Sequence, residues 1–209
     1  MGRFKRHAEA IKDGGQKIMD EYVDALRAKQ EADKAMNDLE RRNVSGSYDR
    51  PGYRELADAK DVQEATSARF SETVSACKVA SAKLTREGRA ALEEDLGAFY
   101  AIDADRFDQA FATIADSGIL KDSDYVAAFG KYADNGTMLR YVAGQAEQRV
   151  KAGTASRELI DAYNAYANNY GPDAVMSNFE TLCRTLERFT CSAYSPYWAK
   201  QVEPMVEAF

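Results

Sequence analysis

The stretch AEAIKDGGQKIMDEYVDALRAKQEADKAMNDLERR, residues 8–42, decides the fold. Within it Ile11, Ile18, Ala25, Ala32 and Leu39 recur every seven residues. Gly15, Tyr22, Lys29 and Met36 follow the first four of these at a distance of four, and Ala8 begins the series. Alternating steps of three and four put both series on one seam of a helix, as in a coiled coil.

Downstream the pattern returns. Leu56, Gln63, Phe70, Cys77, Leu84 and Ala91 are spaced by seven, and Ala59, Thr66, Thr73 and Ala80 lie three residues after the first four. Between the two segments, roughly Phe4–Arg42 and Tyr53–Leu84 or beyond, stands Asn43-Val44-Ser45-Gly46-Ser47-Tyr48-Asp49-Arg50-Pro51-Gly52. Ser, Gly, Asp and Pro in this density break helices and make turns. Two seams joined by so short a break fold back most simply as a long antiparallel helical hairpin, expected to span residues 1–100. Helix two should continue to Phe99-Tyr100, with Gly88 and Gly97 as the places for a bend, since Gly costs about 1 kcal/mol relative to Ala inside a helix.

The seam is rich in Ala, Gly and Thr, so each position buries little apolar area. Met19, Val23, Leu26, Val62, Val74 and Val79 lie beside it and widen the apolar stripe beyond what one partner helix covers. A third helix or a second copy of the chain must cover them. Met19, Val23, Leu26, Val62 and Val74 are therefore candidate interface residues for a dimer. Lys29 and Gln63, polar residues within the seam, restrict the registers it can adopt.

From Tyr100 onward the character changes. Nine of the twelve tyrosines and the only tryptophan fall there, and aromatics supply the large buried areas a compact core needs. Residues 101–209 are expected to form a compact multi-helix domain. Asp103 should cap a helix bearing Phe107, Phe111 and Ile114 and closed by Ser117-Gly118. A second, opened by Asp122 or Ser123, carries Tyr125 and Phe129 and closes near Asn135-Gly136. Thr137 starts a third, ending at Gly153; Thr154 or Ser156 opens a fourth; Pro172 begins a fifth after Gly171. Trp198, Val202 and Met205 share helical spacing in a tail interrupted by Pro204, and should dock it on the core. Tyr163 and Tyr170 suit the core, while Tyr166 joins the candidate interface residues.

The inventory excludes several chemistries. A single histidine, His7, near the start of the first helix, rules out His-rich zinc sites and paired Glu-x-x-His di-iron motifs. It is expected to be an exposed helix-start residue. Asp103, Asp105 and Asp108, and separately Asp122 and Asp124, have calcium-loop spacing but lack the glycine at loop position six and the glutamate at twelve. They are better read as helix caps and first-turn acids. Glu93-Glu94-Asp95 reads as a solvated helix face. No catalytic residue, metal or cofactor is expected. The net charge of −6 disfavours nucleic acid. It divides into −1 over residues 1–100 and −5 over 101–209. No apolar run approaches the length of a membrane span. Scattered Cys77, Cys183 and Cys191 imply reduced thiols and a cytoplasmic setting.

One segment carries a resemblance. Ser117-Gly118-Ile119-Leu120, Asp124-Tyr125 and Asp134-Asn135-Gly136-Thr137-Met138-Leu139-Arg140-Tyr141 together resemble a segment of small helical proteins of tailed phages and prophages of Gram-positive bacteria. Gly136 stands where that pattern carries Pro. Those proteins are uncharacterised and are encoded among virion-structure or assembly genes. The resemblance implies intracellular assembly of a phage particle as a context, and no site residues.

The sequence thus predicts an all-α, non-enzymatic structural, assembly or adaptor protein that self-associates as a dimer or meets a protein partner through its hairpin. A different class is a binding module whose basic Arg3, Lys5 and Arg6 and amphipathic first helix meet a membrane surface or nucleic acid. A third is an all-α enzyme without a recognisable motif.

Overall fold

The computed structural model describes residues 3–44 and 51–209; 84% of these described residues are helical, with no strand among them. Helix α1 (Lys5–Val44) and helix α2 (Tyr53–Phe99) form the expected hairpin. Of the expected break, Ser45–Arg50 lie outside the described residues. At 1.5 Å per residue, α1 and α2 are about 60 and 70 Å long. Helix α2 runs through Gly88 and Gly97 as one helix. A glycine's cost of about 1 kcal/mol is small against the packing that holds so long an element.

The C-terminal half contributes α3 (Gln109–Asp116), α4 (Asp122–Lys131), α5 (Gly136–Lys151), α6 (Arg157–Asn169), α7 (Pro172–Phe189) and α8 (Trp198–Glu207). The caps explain most of the boundaries. Asp108 accepts the Phe111 amide at 3.0 Å and starts α3. Asp103 caps only a 3-10 turn over Ala104–Arg106, accepting the Asp105 amide. Asp124 accepts the amide of Lys121 at 2.8 Å at the head of α4. Ser156 opens α6, and Gly118 and Gly153, both at positive φ, lie just past the ends of α3 and α5. Asn135-Gly136, expected to close a helix, opens one: the Asn135 side chain accepts the Met138 amide at 3.2 Å. Helix α8 continues through Pro204 instead of stopping there.

The chain divides into two compact units, both assembled from separated stretches, where the sequence suggested one boundary near residue 100. The first unit comprises Met1–Ala8, Gly88–Thr181 and Met205–Phe209; the second comprises Glu9–Glu87 and Leu182–Pro204. The core of the first is built from Leu92, Leu96, Tyr125, Met138, Val142, Leu159 and Phe179. At the head of α5, Thr137 accepts the Asp103 amide and donates to the Ala101 carbonyl, while Arg140 donates to the Tyr100 carbonyl. Asp122 ties Arg149 to the Ser156 amide, linking the start of α4 to α5 and α6.

In the second unit α1 and α2 run antiparallel, as their pairings show. Gly14 lies against Leu84, Ile18 against Cys77, Tyr22 against Phe70, Asp33 against Gln63 and Arg42 against Glu55. Residues 182–204 supply what the hairpin seam lacks. Trp198, fully enclosed, donates its indole N–H to the Lys12 carbonyl at 2.9 Å and stacks edge-on to Phe189. Gly15 makes room for it: a Cβ there would stand 2.7 Å from the Trp198 ring and 2.9 Å from Leu186. Trp198 and Val202 are buried, as their spacing suggested, but this part of the tail docks on the hairpin and not on the core of residues 101–181.

Candidate functional site: a two-helix arm and an apolar cavity

Two features stand out, one in each unit. In the second unit, the paired segments 27–44 of α1 and 53–70 of α2 form an arm. Among the described residues of this arm only Ala32 and Leu39 are buried, both from α1. Val44, Tyr53 and Val62 are 85%, 90% and 55% exposed. The two polar seam residues meet on one carboxylate. Asp33 receives the Lys29 ammonium one turn away and the Gln63 amide across the seam at 2.9 Å. These contacts, Lys29 foremost, hold the Asp33 carboxyl below its ordinary range. A bond from Gln63 to an ion pair is geometrically selective, so it fixes register more than it adds stability. The arm carries eight Lys or Arg and eight Asp or Glu over these two segments. It is neutral, with both signs interspersed.

The expected interface residues divide sharply. Met19 is fully enclosed, so it is a core residue and cannot serve an interface. Val23, Leu26 and Val74 pack, with Cys191, around Ile18, Tyr22 and Cys77. The cause is the return of residues 182–204 to this unit, which covers part of the apolar stripe from within the chain. Cys191 takes part at a positive φ of 56° and directs its thiol toward the Val74 carbonyl. Of the hairpin candidates only Val62 remains mainly exposed. Tyr166 belongs to the other unit and to its cavity.

The first unit contains a cavity of about 270 Å³ that opens to solvent on one side. Its floor is formed by Phe4, Phe99, Tyr100, Leu139 and Val175, all buried. Its side walls include Phe129 and Tyr166, whose ring centroids lie 5.5 Å apart, and Phe209, edge-on to Phe179. Arg3, Gly130, Asp134, Ala165 and Asn169 form an exposed rim. The polar groups of the wall are largely engaged with each other. Tyr100 donates to the Tyr170 carbonyl at 2.7 Å, and Asn169 donates to the Ala165 carbonyl at 3.0 Å. Burial, with Tyr166 beside it, pushes the Tyr100 phenol far above its ordinary range. Burial raises Tyr166 as well. Both hydroxyls stay protonated across the physiological range.

At the N-terminus Arg3 and Arg6 remain exposed but have partners within their unit. His7, expected to be exposed, has a largely buried side chain and donates Nε2–H to Asp95 at 2.9 Å; Arg6 pairs with the same carboxylate, and Arg3 lies over the Phe99 ring. Asp95 is accordingly held below the usual carboxylate range, chiefly by His7. It is the member of the acidic run 93–95 that turns inward. The other aspartates singled out for their spacing act structurally. Asp108 caps α3 and accepts from Tyr132 at 2.6 Å and from Lys131 at 3.1 Å.

Spacing within the sequence could not have revealed the cavity, because its lining comes from seven separated stretches. Comparison of the chain with family models, curated proteins and solved structures finds no match.

Proposed function

We propose that this protein is a non-enzymatic assembly or adaptor protein that self-associates through its two-helix arm. The observation that carries this proposal is the burial of the arm. Thirty-six residues of paired helix, 27–44 and 53–70, enclose only Ala32 and Leu39. Helices in water derive most of their stability from packing an apolar face, and this pair packs very little of one on itself. A third element must supply the remainder. A second copy of the chain suits the arm because its charges are balanced and interspersed, so two copies can align without like-charge conflict. Two-fold symmetric pairing is the commonest such arrangement. The resemblance of residues 117–141 to helical phage proteins agrees with an assembly role.

Two observations weigh against a module for membranes or nucleic acid. The arm has no basic excess, and both Arg6 and Arg3 are engaged within their own unit.

Light scattering of the full chain at about 100 µM tests the proposal. The expected mass is twice 23.2 kDa. Val62→Glu, at an exposed position, should shift the equilibrium toward the single chain while leaving the circular dichroism spectrum unchanged. A wild-type mass of one chain at that concentration would refute self-association.

A further inference from the structure

We propose that the cavity of the first unit is a binding site for a compact, neutral aromatic molecule of the indole or naphthol class. The proposal is independent of the arm.

Size comes first. A dry cavity of about 150 Å³ lined by Leu, Ile and Phe accommodates benzene. By proportion, 270 Å³ takes roughly ten heavy atoms, the size of a fused bicycle. Polarity comes second. Water stays in a buried cavity only where two to four polar partners hold it. Here the Tyr100 hydroxyl is committed to the Tyr170 carbonyl and the Asn169 amide to the Ala165 carbonyl. Arg140, exposed and outside the lining, donates to the Tyr100 carbonyl. Water would therefore be poorly held and readily displaced by an apolar guest.

The kind of apolar guest follows from the wall. Rings of Phe4, Phe99, Phe129, Tyr166 and Phe209 face the space. The Phe4–Phe99 pair is edge-to-face at 5.8 Å, and Phe129–Tyr166 is tilted at 5.5 Å. A flat guest can continue both kinds of packing, which a flexible alkyl chain cannot. One polar feature orients it. The Tyr166 hydroxyl lies beside that of Tyr100, and a phenolic oxygen has lone pairs left to accept from an indole N–H or a naphthol O–H. The rim carries one cation and one anion, Arg3 and Asp134, so it offers no net attraction to a charged guest. Neutrality follows.

Binding can be read by isothermal titration calorimetry on the full chain, with indole, 1-naphthol, naphthalene, decanoate and L-tryptophan as probes. Indole and 1-naphthol should bind one per chain with Kd below about 1 mM, a modest demand for ten heavy atoms. Tyr166→Phe should weaken 1-naphthol several-fold and leave naphthalene unchanged. Ala162→Phe, which fills the space from α6, should abolish binding of all guests. Should that variant fail to fold, Ala165→Leu at the rim provides the same block with less intrusion. No saturable binding of indole or 1-naphthol up to their solubility limits overturns the site. So does binding that survives both filling variants. Tighter binding of decanoate or of L-tryptophan than of indole overturns the ligand class.

Discussion

Replacing Gly136 by Ala isolates the junction on which the first unit depends. Gly136 opens α5, and a Cβ built on it would lie 1.9 Å from the carbonyl oxygen of Phe99 and 2.7 Å from its carbonyl carbon. A carbon approaches a carbonyl oxygen to about 3.3 Å, so the head of α5 must retreat by roughly 1.4 Å. The obstacle is backbone, and no rotamer change relieves it. Three bonds cross this junction: Arg140 to the Tyr100 carbonyl at 2.9 Å, Thr137 to the Ala101 carbonyl at 2.9 Å, and the Asp103 amide to Thr137 at 3.1 Å. A retreat of that size takes each beyond hydrogen-bonding range. At about 1 kcal/mol apiece, and less at most about 1 kcal/mol gained from alanine's helix propensity, the net loss is about 2–3 kcal/mol. For a chain of this size that lowers Tm by roughly 5–10 °C. Gly97→Ala is the control, since nothing lies within 4 Å of its Cβ and it belongs to the same unit. It should gain up to about 1 kcal/mol. Thermal and urea denaturation followed by circular dichroism reads both. A Gly136→Ala protein as stable as the Gly97→Ala protein would refute the reasoning.

Other outcomes follow from the same contacts. Gly15→Ala should destabilise by about 1–2 kcal/mol, because its Cβ meets the enclosed Trp198 ring; Gly14→Ala, which meets only the end of the Leu84 side chain, should be near neutral in the same melts. Changing Met19 and Leu26 together to Glu should unfold the second unit, since Met19 is fully enclosed and Leu26 partly buried against the same cluster, so a charge at position 19 would lack a partner; a well-folded double mutant of unchanged helicity would contradict that core. Acid should destabilise the protein. Asp95, Asp108 and Asp122 are held below the ordinary carboxylate range by His7, by the Tyr132 hydroxyl and by the Ser156 amide respectively. Each binds fewer protons folded than unfolded near pH 4, so its contribution is present above the unfolded value of about 3.9 and is lost as pH falls toward the folded one. Urea midpoints should be flat from pH 7 to about 5 and fall steadily below about 4; a midpoint unchanged at pH 3 would contradict these contacts.

What the sequence revealed was what repeats or punctuates locally. The heptads of Ile11 to Leu39 and Leu56 to Leu84 carry the hairpin, and Ser156, Pro172 and the glycines at 118 and 153 mark helix ends because capping is chemistry within one turn. Asn135-Gly136 opens a helix where its composition suggests an end, since asparagine and glycine serve at both ends of helices and only the neighbouring chain decides which. The apolar residues beside the seam announced a missing third surface. Nothing periodic told that Leu186, Cys191 and Trp198 would supply much of it, because that pairing spans most of the chain. For the same reason His7 looked exposed: its partner Asp95 is 88 residues away. The cavity had no sequence signal, being a space left between side chains from separated stretches. Tyr166, expected at an interface, lines that space instead.

The docking of Trp198 on the carbonyl of Lys12 spans 186 residues, which sets the order of events on the ribosome. At roughly 5–20 residues per second, the groove around Gly15 and Ile18 emerges about 10–40 s before the side chain that fills it. Once Leu84 has been made, 114 residues before Trp198, the nascent hairpin displays an unfilled apolar face. A chaperone that recognises such faces, or the arm of a neighbouring nascent chain on the same polysome, has the first opportunity to occupy it.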